Sequence, residues 1–86
     1  QTAPNPFNLK TTIQFGLEKD TWLSLSIFDI RGRKIASLAE GNFQKGSYAI
    51  DWNGKNHWGD SVSSGMYFYH LNGIREHKKG KLLLLK

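Results

Sequence analysis

Residues 12–28 read TIQFGLEKDTWLSLSIF, which is two alternating runs of apolar and polar or small residues around a polar turn at residues 18–21. A period of two puts every second side chain of a β-strand on the same face, so each run predicts a half-buried strand with its apolar residues directed inward. Those apolar residues are Ile13, Phe15, Leu17, Leu23, Leu25 and Ile27. The stretch predicts the start of an antiparallel all-β domain.

The pair Arg31 and Gly32 predicts where the chain reverses into a third strand. Glycine takes a positive φ angle without a Cβ penalty, and this property suits Gly32 to a tight turn. The third strand is expected over residues 34–38, and residues 39–46 are expected to form a longer connection. The inward-facing residues of this third strand are expected to be Ile35 and either Ala36 or Leu38.

Three later runs complete the predicted ladder. The first covers residues 48–52, the second covers residues 66–71 (MYFYHL) and the third covers residues 78–85. The second run has apolar side chains on both faces and is expected in the middle of a sheet. The inward-facing residues of the first two runs are expected to be Tyr48, Ile50, Trp52, Tyr67, Tyr69 and Leu71. We predict six or seven strands in two small sheets packed face to face, without a helix.

The chain length predicts a single domain over residues 1–86. The chain has no cysteine, so disulfides and thiolate metal sites are excluded, and stability must come from a core rich in aromatic residues. The sequence begins at Gln1 and shows no signal peptide and no transmembrane segment. We expect it to be a fragment from the C-terminal end of a longer secreted protein.

The basic charge is concentrated at the end of the chain. Residues 75–86 (REHKKGKLLLLK) hold five basic side chains and one acidic side chain, and so account for +4 of the formal net charge of +5. The leucines at 82–85 cannot span a bilayer, which needs about 20 apolar residues, and they predict a closing strand buried on both faces. A terminal strand beside a cationic patch is a candidate address read by other proteins. The predicted partner-binding residues, called the tail cations below, are Arg75, Lys78, Lys79, Lys81 and Lys86.

Eight short motifs occur in an order that extends along nearly the whole chain. They are PNPFN at 4–8, TTI at 11–13, IFD at 27–29, GRKI at 32–35, WNG at 52–54, Gly59, SGMYFY at 64–69 and LLLK at 83–86. This ordered set resembles the type A C-terminal sorting domain of type IX secretion. It also resembles the closely related immunoglobulin-like domain of flagellar hook-capping proteins.

The resemblance implies an immunoglobulin-like antiparallel β-sandwich of about seven strands at the end of a secreted protein. It also implies recognition by an outer-membrane secretion translocon and attachment machinery, with the domain removed or exchanged for a surface anchor. The route implied runs through the periplasm and the outer membrane to the medium or the cell surface. An upstream catalytic or adhesive domain of the same chain would be the cargo.

The residues themselves predict neither an active site nor a cofactor. The three histidines, His57, His70 and His77, are 13 and 7 residues apart, without the spacing that places two imidazoles on one metal. We expect His70 at the surface or at the rim of a sheet, on the face opposite to Tyr69. No serine lies in a nucleophile-elbow sequence, and no carboxylate pair lies in an apolar setting. The sequence predicts a protein that is not an enzyme.

The loop at residues 51–60 (DWNGKNHWGD) is the candidate ligand site. Its oxygen donors suit a hard cation such as calcium, but asparagine, aspartate and glycine are also the residues that tight turns require. We favour turns over calcium. Trp58 either stacks on a sugar or a partner or folds back over an open end of the sandwich, and we favour the second. The residues of this loop with a candidate role are Asp51, Asn53, Asn56, Trp58 and Asp60.

A basic and aromatic β domain also raises the question of nucleic acid or membrane binding. The cations lie in one terminal segment, and the aromatic residues at 67–69 are needed in the core, so we expect no nucleic-acid partner. Membrane insertion would require the leucines at 82–85 to leave the core, so we expect none. The predicted function is therefore a C-terminal sorting and anchoring module. The alternatives are an accessory or spacer domain of a secreted multidomain hydrolase and a carbohydrate-binding sandwich that uses Trp58 and Trp22.

Overall fold

The computed structural model describes residues 11–85, in which strands are joined by turns and loops and no helix occurs. The strands are β1 (Thr11–Leu17), β2 (Thr21–Phe28), β3 (Lys34–Phe43), β4 (Gly46–Trp52), β5 (Gly65–Gly73) and β6 (His77–Leu84). The predicted all-β class is confirmed, with six strands in the described residues where about seven were expected. The motif at 4–8 and the tail cation Lys86 lie outside those residues.

Two antiparallel sheets make up the sandwich. One sheet pairs β1 with β4, and the other has the order β3-β2-β5-β6. The connection at residues 18–20 carries the chain from the first sheet to the second, because β1 and β2 belong to different sheets. β5 lies between β2 and β6, so the central position predicted from its apolar residues on both faces is confirmed.

The core lies between the sheets and contains the residues that the alternating pattern directs inward. Trp52 is 1% exposed, its indole Nε1 donates to the carbonyl oxygen of Lys55 at 2.9 Å, and its ring meets that of Tyr67 edge-on at 5.0 Å. The other buried apolar residues are Ile13, Phe15, Leu17, Leu23, Leu25, Ile27, Ala36, Leu71, Leu82 and Leu84. Tyr48, Ile50 and Tyr69 are half-buried and pack against this core, as expected.

The β2–β3 turn has the conformation expected from Gly32. Gly32 has a φ of 84°, and its N–H donates to the carbonyl of Asp29 at 3.0 Å. The Asp29 carboxylate also accepts the backbone N–H groups of Arg31 and Arg33, both at 2.9 Å. Aspartate is suited to this position because its short side chain can satisfy the backbone donors of a turn.

The prediction of a long connection at residues 39–46 is wrong. β3 continues to Phe43, and only residues 44 and 45 separate it from β4. The pairing of β2 with β3 shifts register between Leu25 and Ser26 and again between Ile27 and Phe28. The shifts leave Leu38 and Ile35 of β3 without a partner in β2, whereas the pairing from Ala39 to Phe43 is regular. The buried residue at the start of β3 is Ala36, while Ile35 and Leu38 are half-buried against the core.

The prediction that the closing strand is buried on both faces is also wrong. Leu82 and Leu84 are buried, but Leu83 is 58% exposed and Leu85 is 65% exposed. The reason is that β6 is an edge strand of the four-stranded sheet, and the two-stranded sheet covers only one face of it. Half of the leucine run therefore lies on the outer surface.

Candidate functional site

The tail cations on β6, which are Lys78, Lys79 and Lys81, do not form one patch, because the alternation of the strand sends neighbouring residues to opposite faces. Lys79 and Lys81 pair with His70 and Phe68 and lie with them on the outer face of the four-stranded sheet. Lys78 pairs with the core residue Leu71 and points the other way.

Lys78 reaches across the open side of the sandwich. Its Nζ donates to the carbonyl oxygen of Gln14 in β1 at 3.2 Å, so it links the edge of one sheet to the edge of the other. Arg75 lies in the turn between β5 and β6, outside the strand that carries Lys78, Lys79 and Lys81. Of the four tail cations within residues 11–85, the structure therefore brings together Lys79 and Lys81.

Four apolar side chains lie beside these two lysines on the outer face of the sheet. Met66 pairs with Leu83 across β5 and β6, and Phe68 pairs with Phe28 across β5 and β2. Met66 is 41% exposed and Leu83 is 58% exposed, while both phenylalanines are half-buried. We call this set the outer-face patch; its members are Phe28, Met66, Phe68, Lys79, Lys81 and Leu83.

His70 borders the outer-face patch. Its ring lies 6.2 Å from that of Phe28, and it faces Lys79 across the β5–β6 ladder. Burial lowers the pKa of His70, and the nearby charges of Lys79 and His77 lower it further. His70 is half-buried, on the face opposite to Tyr69, so the expected position at the sheet surface is confirmed.

The β2–β3 turn adds a charged margin to the outer-face patch. Asp29 pairs with Arg33, with 2.9 Å between Oδ2 and Nε, and the bonds from Arg33 and Arg31 lower the pKa of its carboxyl. Ile30, at the tip of the turn, is 73% exposed. A shallow groove runs from this turn along Phe28, Phe68 and Lys79.

The loop at residues 51–60 is a set of turns held together by Asn56. The Oδ1 of Asn56 accepts the backbone N–H groups of Trp58 and Asp60, both at 3.0 Å, and its own N–H donates to the carbonyl of Asp60. Asp51 accepts a hydrogen bond from the hydroxyl of Thr12 in the neighbouring strand. Asn53 follows directly after β4 and precedes Gly54, whose φ is 75°. Within residues 11–85, no cluster of three or more His, Cys, Asp or Glu side chains could hold a metal ion.

Trp58 does not fold over the end of the sandwich, and that expectation is wrong. Its side chain is 76% exposed and lies against the ring of His57, with 4.0 Å between the two ring centroids. The turn around Asn56 fixes the backbone so that the indole projects away from the core. His57 also donates its backbone N–H to the carbonyl of Ile35, which holds this loop against the start of β3.

Trp22 and Trp58 lie at opposite ends of the sandwich. Trp22 pairs with Asn42 near the end of β3, while the loop that carries Trp58 is bonded to Ile35 near its beginning. Seven residues of strand separate these points, or about 23 Å at about 3.3 Å per residue. The two indoles therefore cannot form one sugar-binding platform.

Comparison with protein families gives one match over almost the whole chain. The family described as "Secretion system C-terminal sorting domain" matches residues 2–85. The chain belongs to this family of sorting domains. Membership confirms the resemblance to type IX secretion sorting domains and identifies the chain as a C-terminal sorting signal for that route. A protein that carries it is exported to the cell surface or the medium.

A solved structure supports the fold of the sorting domain. FLGD from P. aeruginosa matches it with a TM-score of 0.68 at 18% identity, over 87% of this chain and 58% of that chain. At this identity the likeness concerns the fold alone, and it supports the immunoglobulin-like sandwich. The sorting domain spans a little over half the length of that relative. No curated protein matches the chain. Within residues 11–85, no helix is long and apolar enough to cross a membrane.

Proposed function

We propose that the sorting domain is a non-catalytic module that directs an upstream domain through the type IX secretion machinery and then to an anchor at the cell surface. The observation that carries this proposal is the family match over residues 2–85. Its partners are the outer-membrane translocon and the attachment machinery. The cargo is a catalytic or adhesive domain of the same chain, and the route runs through the periplasm and the outer membrane.

Recognition depends on the surface formed by β6 and its neighbours. Lys79 and Lys81 are exposed on a strand that the buried Leu82 and Leu84 anchor, so both charges are presented on one face of the sheet. Exposed charges on one face steer encounter with an oppositely charged partner and raise the association rate. The edge of β6 faces away from β5 and is suited to backbone pairing with a partner strand. Arg75, Lys78 and Lys86 complete the predicted cationic tail.

The test is the location of the cargo with and without the domain. Complete removal of residues 1–86 should leave the cargo in the periplasm, and fusion of the domain to an unrelated periplasmic protein should carry that protein outside. Cargo in the membrane fraction rather than the medium would indicate anchoring. Normal export after complete removal would contradict the sorting function and leave the accessory-domain alternative.

The tail is tested by charge reversal, with a matched control. The variant Lys78→Glu, Lys79→Glu, Lys81→Glu should reduce export, whereas Lys19→Glu, Lys45→Glu, Lys55→Glu changes the net charge equally at exposed sites elsewhere. Exposed charge changes are usually within about 0.5 kcal/mol per site, so both variants should fold. Melting of each purified variant checks this, because Lys78→Glu also removes the hydrogen bond to Gln14. Equal export by the two folded variants would show that the charge of the tail is not recognised.

A further inference from the structure

We propose that the outer-face patch is a docking surface for a protein that presents apolar side chains flanked by carboxylates, and that this protein belongs to the secretion machinery. The proposal deepens the proposed function and rests on it. The element that the partner recognises is then a folded surface contributed by β2, β5 and β6, and not a linear basic tail. Three observations carry it.

The first observation is the composition of the patch. Phe28, Met66, Phe68 and Leu83 are neighbours in a register that directs all four away from the core. An edge strand that exposes leucine beside methionine leaves apolar area in water, which is unfavourable unless a partner covers it. Aromatic residues and methionine are the types enriched at the centre of protein interfaces.

The second observation is the sign of the charge around this apolar centre. Lys79 and Lys81 flank it on β6, and Lys34 pairs with Phe28 on β3. The carboxylate of Asp29 at the margin is already bonded to Arg33. Glu40 faces Ser24, four residues along β2 from Phe28, or about 13 Å away. The surroundings of the patch are therefore cationic, and its complement is anionic.

The third observation is the rigidity of the surface. The patch side chains come from three adjacent strands whose opposite faces are anchored by Ile27, Tyr67 and Leu82 in the core. The apolar side chains of the patch lie on a sheet face between lysines, whereas the element that typically buries its apolar face at a bilayer surface is an amphipathic helix. A second copy of the domain would oppose lysines to lysines, which is repulsive. These points favour a shaped acidic protein surface over a lipid surface or a homodimer.

The experiment changes the apolar and the charged parts of the patch separately in the full-length cargo protein. Met66→Ser with Leu83→Ser removes exposed apolar area, and Lys79→Glu with Lys81→Glu reverses the flanking charge. The matched controls are Ile74→Ser, which is 75% exposed outside the patch, and Lys19→Glu with Lys45→Glu. Each variant is expressed in a type IX-competent cell and its export is measured. Its folding is checked by melting of the purified domain. We expect each patch variant to lower export on the order of tenfold and each control to leave it unchanged.

Photo-crosslinking identifies the occupant directly. A photo-reactive amino acid at position 83 should give an adduct with a protein of the secretion machinery, at a peptide that contains Asp or Glu. The same amino acid at position 47, on the exposed side of the two-stranded sheet, should not give this adduct. Adducts with lipid, with a second copy or with residues 1–10 of the same chain would overturn the proposal.

The outcomes separate this proposal from the sorting function. Normal export of all folded patch variants, with export abolished when residues 1–86 are removed, would refute the docking surface and leave the sorting function intact. Normal export after that removal would refute the sorting function itself.

Discussion

The ring of Tyr69 lies directly over Gly80, its partner in the β5–β6 ladder. A Cβ placed on Gly80 would collide with Cε2, Cζ and the hydroxyl oxygen of that ring. The two residues face the core side of the sheet, where Tyr69 is half-buried against the buried cluster. Glycine is therefore required at position 80 for the tyrosine to lie flat across the ladder.

Gly80→Ala should destabilise the domain by about 1–3 kcal/mol, because the added methyl group displaces a packed ring. The matched control is Gly16→Ala, where the nearest atom to a new Cβ is the carbonyl oxygen of Gly46 at 4.0 Å. Chemical denaturation of both variants measures the difference. In a double-mutant cycle, Gly80→Ala should cost less free energy of unfolding in the Tyr69→Ala background than in the wild type. Additive effects would show that the ring and the glycine are not coupled.

The two tryptophans on either side of Gly54 should differ strongly in their contribution to stability. Trp52→Ala should cost about 3–5 kcal/mol, since it opens a cavity at the centre of the core and removes the hydrogen bond to Lys55. Trp58→Ala should change the free energy of unfolding by less than about 0.5 kcal/mol, since its indole is mostly exposed. Denaturant titration of the two variants provides the comparison. Equal losses would contradict the placement of both side chains.

The loop at residues 51–60 should be indifferent to calcium. Asn56 uses its side-chain oxygen to hold the turn, so that oxygen is already committed to backbone donors. A site filled at 100 times its dissociation constant would add about 2.7 kcal/mol to stability. Melting curves with millimolar calcium and with a chelator should therefore coincide. A shift of several degrees would restore the calcium interpretation.

Lys79→Gln should raise the pKa of His70 toward its ordinary value of 6.5 without restoring it fully, because burial is the larger cause of the lowering. NMR titration of the imidazole measures this, with Lys45→Gln as the control. A pKa that does not move would show that Lys79 lies farther from His70 in solution.

The lowered pKa of His70 also fixes the sign of a pH effect on stability. The unfolded chain binds a proton at His70 more readily than the folded domain does. The contribution of His70 is therefore fully present above pH 6.5 and is lost as the pH falls through the lower pKa of the folded state. Denaturation between about pH 8 and about pH 5 should show this loss in the wild type and less of it in His70→Gln.

The inward faces of the strands follow from the sequence because alternation is a local property. Ile13, Phe15, Leu23 and Leu25 are buried as their spacing predicts. The chain path at residues 39–43 does not follow from local pattern, since its alanine, glutamate, glycine and asparagine are poor strand formers. Pairing with β2 extends β3 through them nonetheless, so tertiary contacts override the local preference.

The candidate site was only partly accessible to sequence reasoning. The charge count locates the basic segment. That Lys78 and Lys79 lie on opposite faces follows only once the position of β6 in its sheet is known. The exposure of Leu83 likewise depends on which sheet covers which face, and a run of four leucines carries no alternation to reveal it. The sequence places Met66 and Phe68 on a central strand, but nothing in their local pattern shows that their face is open to a partner.

Because Leu82 and Leu84 are buried, folding of the domain depends on the presence of β6. β6 is the last of the described strands to leave the ribosome. Its Leu82 pairs with Tyr67, and its Leu84 side chain lies beside Gly54. Chains whose translation stops before residue 82, or that a protease shortens to that point, cannot complete the core. Such chains also lack Leu83, so they have neither the folded scaffold nor the full surface. Completion of the core thus depends on whether synthesis of the polypeptide has included β6.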